Sequence, residues 1–229
     1  VAQSQGYFDA QLETMGNLAK GNTITLAAIG QAVPISTQIT ALFNRNTNYA
    51  HFLVTAIVPA IWQICVVVST ILILAAHFRL YGNGNNSFAF LGERPFTRLS
   101  KILSQYIPVF MAQGALFLVW FYMVLDWTME GSYLVMLLAQ FVTTIACIIM
   151  GALFFFLSMD PARAMSFAGA FTAPSFAFMG ITFPVSDMNA LAHAWRGLLP
   201  ITHYIEVQVD QASYGASAAQ SIGSLWPMV

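Results

Sequence analysis

Four runs of the chain carry no Asp, Glu, Lys or Arg: Leu53 to Phe78, Ile102 to Leu125, Tyr133 to Met159, and Ala164 to Val185. Each reaches the roughly 20 apolar residues that a helix needs to cross about 30 Å of hydrocarbon. A backbone in lipid must satisfy its own polar groups, which leaves helices or closed barrels. None of the runs has a strong polar stripe, so they read poorly as buried helices of a large soluble protein. Composition agrees, with 7% charged side chains and a mean hydropathy of +0.70, where soluble domains are roughly a quarter charged. The predicted fold class is all-α, a polytopic integral membrane helical bundle with spans at about 53–78, 102–125, 133–159 and 164–185.

Lys and Arg near the ends of spans mark the cytoplasmic side. Arg79, Arg94, Arg98 and Lys101 lie between the first two runs and Arg163 between the last two. The connector "DWTMEG" holds only Asp126 and Glu130, and the segment after the fourth run sets Asp187, Glu206 and Asp210 against Arg196. The basic loops are therefore predicted inside. Residues 1–50 are then predicted to lie outside, ahead of a transmembrane domain at 51–229. Because a polar head needs an export signal before it, the reading expects a span before residue 1. The apolar turn at "SIGSLWPMV" is read as the start of a further span at 222–229.

Chemistry of the chain's own finds little support. The Gly-x-x-x-x-Gly-Lys-Ser/Thr phosphate loop is absent, and His51, His77, His193 and His203 are scattered rather than spaced as metal ligands. Catalytic residues, a resident metal and a cofactor are thus expected to be none. The net charge of −1 offers nothing to nucleic acid. Cys65 and Cys147 fall mid-span as small packing residues. Polar groups at depth are mild: Gln63, Ser69, Thr70, Gln113, Gln140, Thr143, Thr144, Ser166 and Thr172, read as bonds between helices. Buried Asp, Glu or His relays of ion-coupled carriers are missing from the runs. Two alternatives stay open: an enzyme using His193, His203, Glu206 and Asp210 at the outer surface, and an ion-driven secondary transporter.

A membrane domain without an energy source implies a partner that supplies one. The docking surface predicted for it is the inner loop 79–101. There Pro95 suits a first helical turn, Glu93 favours the positive end of the dipole, and a short amphipathic helix from Pro95 to Lys101 lies along the membrane. In the fourth run, Gly169, Ala173 and Ala177 form a small-residue stripe suited to close helix contact, beside a kink at Pro174. Gly180 and Pro184 end that run. Two apolar pieces follow, Ala190 to Leu199 and Ile201 to Val207, and neither is long enough to cross.

The stretch "LFNRNTNYAHFLVTAIVPAIW" (42–62) and the pattern "GITFPVSDMNALAHAWRGLLPITHYIE" (180–206) resemble permeases of the ABC type-2 exporter family. In the second, Gly180, Phe183, Pro184, Met188, Leu199, Pro200, Thr202 and Tyr204 stand where the family pattern has them. The resemblance covers nearly all of the chain. It departs after the first run, where "HFRLYGNGNNSFAFLGERP" replaces the family's Arg-Glu-Arg/Lys-Glu-x-Gly-Thr motif. It implies that the runs are spans two to five of six, that residues 1–50 are the end of an extracytoplasmic domain inserted after span one, and that re-entrant half-helices within 186–210 form a gate from Gly180, Phe183, Pro184, Met188, Leu199, Pro200 and Tyr204. It further implies a coupling loop that offers Gly92, Glu93, Arg94, Pro95, Arg98 and Lys101 to separate ABC ATPase subunits, which hold the ATP and magnesium. A second permease subunit, as homo- or heterodimer, the lipid bilayer and a periplasmic adaptor complete the implied partners, in a bacterial inner membrane. The implied function is export of a hydrophobic or amphiphilic substrate by alternating access, past aromatic residues such as Phe117, Trp120, Phe154 and Phe155.

Overall fold

The computed structural model describes residues 49–82, 89–181, 183 and 185–228. The chain divides at Thr47/Asn48, and the described residues belong to the second unit, Asn48–Val229. The expectation of an extracytoplasmic domain at residues 1–50 lies, up to residue 48, outside the described residues, as does the expectation for Pro184. All regular structure among the described residues is helical. In order these are α1 (Tyr49–Tyr81), α2 (Pro95–Ser104), α3 (Ile107–Val119), α4 (Tyr133–Ser158), α5 (Pro161–Thr172), α6 (Ser175–Phe178), α7 (Ala190–Gly197), α8 (Pro200–Tyr214) and α9 (Ala218–Gly223).

Among the described residues, three helical stretches are long and apolar enough to cross a membrane: Leu53–Tyr81, Pro95–Val124 and Tyr133–Ser158. The second differs from its expectation, because the amphipathic helix is not a separate surface element ending at Lys101. It runs on to Ser104, turns at Gln105 and Tyr106, and continues as α3. Pro108 explains the hitch, since it has no N–H to give the Ser104 carbonyl one turn back. The stretch ends in a π-turn, Trp120–Val124, with Leu125 N–H bonded to Trp120 O at 2.9 Å, and Asp126 then takes a left-handed φ of 52°.

Helices in lipid gain little from hydrophobic burial against one another, so close backbone approach has to hold them together. Gly151 of α4 supplies it. A Cβ there would fall 2.8 Å from the Val67 carbonyl and 2.9 Å from Thr70 Cβ, both on α1. Gly151→Ala is expected to force α1 and α4 apart at a cost of about 1–3 kcal/mol, read as a fall in thermal unfolding temperature in detergent. Gly169→Ala is the control, because nothing lies within 4 Å of its Cβ position. Equal behaviour of the two variants would refute the contact.

That same open space corrects the reading of the Gly169, Ala173 and Ala177 stripe as a contact within the chain. Gly169 and Ala173 are exposed, whereas Ala164, Ala168, Thr172 and Ser175 are buried. The packed face of α5 is offset by one residue, about 100° around the helix. The fourth run is also interrupted. α5 starts at Pro161 with the Asp160 carboxylate accepting Arg163 N–H at 2.8 Å, ends before Pro174, and gives way to the single turn of α6. Gly180 reverses the chain in the left-handed region at φ 84°, where a Cβ would strain the backbone and fall 2.9 Å from Val185 Cγ2.

Threonine hydroxyls serve mainly their own helices rather than bridging helices as expected. Thr70, Thr143, Thr144 and Thr172 each donate to the carbonyl four residues back, at 2.7–2.8 Å, and Thr144 Oγ1 also lies 3.8 Å from Met111 Sδ of α3. A short hydroxyl reaches its own helix first. Trp62 Nε1 of α1 donates to Phe110 O of α3 at 3.2 Å, and the bonds that seat α8 on α1 and α4 fall to glutamines.

Candidate functional site

The α7–α8 hairpin is positioned by polar contacts that fix its depth. Pro200 opens α8 and brings no N–H, and its N-cap Leu199 brings no side-chain acceptor. The next amide, Ile201 N–H, donates to Gln63 Oε1 of α1 at 3.0 Å, so a glutamine from another helix serves as the cap. Further along, Gln208 Nε2 donates to the Thr55 carbonyl at 2.9 Å. Pro59 makes that carbonyl available, because it lacks the N–H that would have bonded it within α1. Ile201 thus meets Gln63 and Gln208 meets Thr55, advances of about 10 Å along α8 and about 12 Å along α1 in opposite directions.

A second ladder on α4 runs the same way. Gln140 Nε2 makes a long 3.5 Å contact to the Tyr204 hydroxyl, while Gln211 Oε1 accepts Ser132 N–H at 2.8 Å. Both ladders make α8 antiparallel to α1 and α4: Ile201 meets α1 about 21 Å from that helix's N-terminal end, and Tyr204 meets α4 about 10 Å from its own. Tyr204 is fully buried among Trp62 and Phe117, ring centroids 6.2 and 6.5 Å away. Gly114 makes room for this, since a Cβ would lie 2.8 Å from the Gln140 amide.

α7 is tied to α8 by charge. Arg196 Nη2 meets Glu206 Oε1 at 2.6 Å, with the Arg196 side chain 10% and the Glu206 side chain 37% exposed. The elbow between the helices is closed by Thr202 Oγ1, 2.8 Å from Arg196 O and 2.7 Å from Leu199 O, and by His203 Nε2, 3.1 Å from Gly197 O. That carbonyl only accepts, so His203 Nε2 carries the proton.

Leu199, Pro200 and Tyr204 therefore come together, buried under the hairpin. Gly180 forms the turn before it, Met188 is half-buried and Phe183 stands exposed away from the cluster. Phe117, Phe154 and Phe155 are packed inside the bundle, while Trp120 is exposed. Of the residues of the enzyme alternative, the structure brings His203 and Glu206 together and leaves His193 apart on the surface. His193 is exposed, His203 Nδ1 is 3.9 Å from a Glu206 carboxylate already paired with Arg196, and burial, then the Glu206 charge, raise the Asp210 carboxyl above its ordinary range.

At the opposite end of α1, a cleft of about 600 Å3 lies between His77 and Tyr81 and the face of α2 that carries Arg94, Thr97, Arg98 and Lys101. Gly92, with a left-handed φ of 66°, turns the chain into α2, and the Arg98 guanidinium lies 5.9 Å from the Tyr81 ring centroid. Gly92, Glu93, Arg94, Pro95, Arg98 and Lys101 are all exposed.

A family model described as ABC-2 family transporter protein matches residues 1–229, the whole chain. The chain belongs to the ABC-2 transporter family. No curated protein and no solved structure matches it significantly. Membrane proteins of the ABC-2 family are transport subunits that work with ABC ATPases, and this permease is a multi-pass membrane protein of that kind. In the ABC-2 chain the glutamines that seat α8 were only partly legible: Gln63 and Gln140 stood out as polar groups inside apolar runs, whereas Gln208 and Gln211 sat in a segment already polar. Pro59, four residues after Thr55, was the overlooked sign that a carbonyl needed another donor.

Proposed function

We propose that the chain is the permease subunit of an ATP-driven exporter in a bacterial inner membrane, moving an amphiphilic or hydrophobic substrate outward by alternating access. ATP and magnesium belong to separate ATPase subunits, which act on the loop from Gly92 to Lys101. A second permease copy or homologue, and a periplasmic adaptor, complete the assembly. In this reading α5 and α6 together form a fourth, broken span, and α7 and α8 are re-entrant half-helices that close the outer end of the pathway.

The observation that carries the reading is the pair of ladders to Gln63 and Thr55 and to Gln140 and Ser132. They run α8 back up beside two spans whose N-terminal ends face outside by the positive-inside rule. Such a half-helix unlatches by breaking a few hydrogen bonds, without moving a span. The short two-residue turn between α2 and α3 supports the coupling role, since a push on Arg94 to Lys101 is passed directly into the span that follows. Alanine at each position from Glu93 to Arg98 is expected to leave ATP hydrolysis by the assembled transporter in place while transport falls at least tenfold. Transport at the parental rate, measured in the same proteoliposomes, would oppose it.

A further inference from the structure

We propose that the cleft between α1 and α2 is a binding site for the headgroup of an anionic phospholipid of the inner leaflet. Arg94, Arg98 and Lys101 recur at helical spacing and so share one face of α2 with Thr97. Against these three cations the cleft holds one carboxylate, Glu93. Among the described residues none of the four is ion-paired; the structure's salt bridges join Arg196 and His203 to Glu206. The first turn of α2 adds to the demand for an anion: Arg94 is its N-cap with no side-chain acceptor, and Phe96 and Thr97 present amides at the positive end of the helix dipole.

Placement and floor select a lipid over a soluble anion. The cleft sits where α1 leaves the membrane on its basic side, and it is floored by Leu91 and Ile102, 5% and 7% exposed. Leu80, Tyr81 and Phe96 stand beside it at 73%, 57% and 84% exposure, apolar groups at the level where acyl chains begin. Basic pockets of this kind between helices on the cytoplasmic side hold phosphate headgroups. The guanidinium of Arg98, set over Tyr81, is placed as the principal partner of the phosphate.

The test takes the full chain in nanodiscs made from equal parts phosphatidylglycerol and phosphatidylcholine, without any ATPase, and reads retained lipid by native mass spectrometry. Phosphatidylglycerol is expected to be retained roughly tenfold over phosphatidylcholine, with about a fivefold fall for Arg98→Gln and no preference left when Arg94, Arg98 and Lys101 all become Gln. Arg98→Lys keeps the charge and should keep most of the preference, which separates loss of the site from loss of the fold. Equal retention of both lipids by the parent chain, or undiminished preference in the triple variant, overturns the proposal. Displacement of the lipid by inorganic phosphate, or equal binding of its acyl-free headgroup, overturns the lipid assignment in favour of a soluble anion. Coupling is read from ATP turnover against transport, so each of the two proposals can fail without the other.

Discussion

Gln63→Leu is expected to free the inner end of α8 while α1 stays in the membrane. The substitution keeps the size and apolar stem of the glutamine and removes the Oε1 that accepts Ile201 N–H at 3.0 Å. Pro200 offers no donor and Leu199 no cap, so the first free amide of α8 would be left buried without a partner. An unmet buried donor costs about 1–3 kcal/mol in proteins, and water is not at hand at this depth to soften it. The loss should appear as a lower unfolding temperature and as modification of a cysteine placed at Leu199, which is fully buried in the parent. Gln140→Leu is expected to cost less, because its contact to Tyr204 is already long at 3.5 Å. A Leu199→Cys probe equally protected with and without the Gln63→Leu substitution, at unchanged unfolding temperature, would mean that the cap contributes nothing.

The second large effect concerns charge. Glu206→Ala leaves the Arg196 guanidinium nine-tenths buried with no carboxylate beside it, and its Nε already lacks a hydrogen-bond partner. Breaking a fully buried pair costs about 3–5 kcal/mol; Glu206 is more than a third exposed, which lowers the expectation to about 2 kcal/mol. Arg196→Met combined with Glu206→Leu should recover most of that loss, because two apolar groups in place of a buried ion pair leave no charge stranded. A double-mutant cycle read by thermal unfolding decides it. If the double variant is as unstable as Glu206→Ala, the pair is not what joins α7 to α8.

The sequence by itself determined three stretches long and apolar enough to cross a membrane, and it marked Pro174 and Gly180 as places where helix gives way. An uncharged apolar run of sufficient length settles as a helix in lipid; the helix gives way at Pro174 and Gly180, yet α1 runs on through Pro59 and α4 through Gly151, so the surroundings decide which breakers act. Tertiary structure decided which faces meet. Offsetting a helix by one residue turns it through about 100°, which is why Ala164, Ala168 and Thr172 pack while the equally plausible stripe at Gly169 does not. It also decided which polar groups are paired: Gln63 caps a helix 138 residues away in sequence, and Gln208 answers a carbonyl left by Pro59. Such pairings depend on the height at which one helix passes another, a quantity set by the whole bundle and written in no single segment.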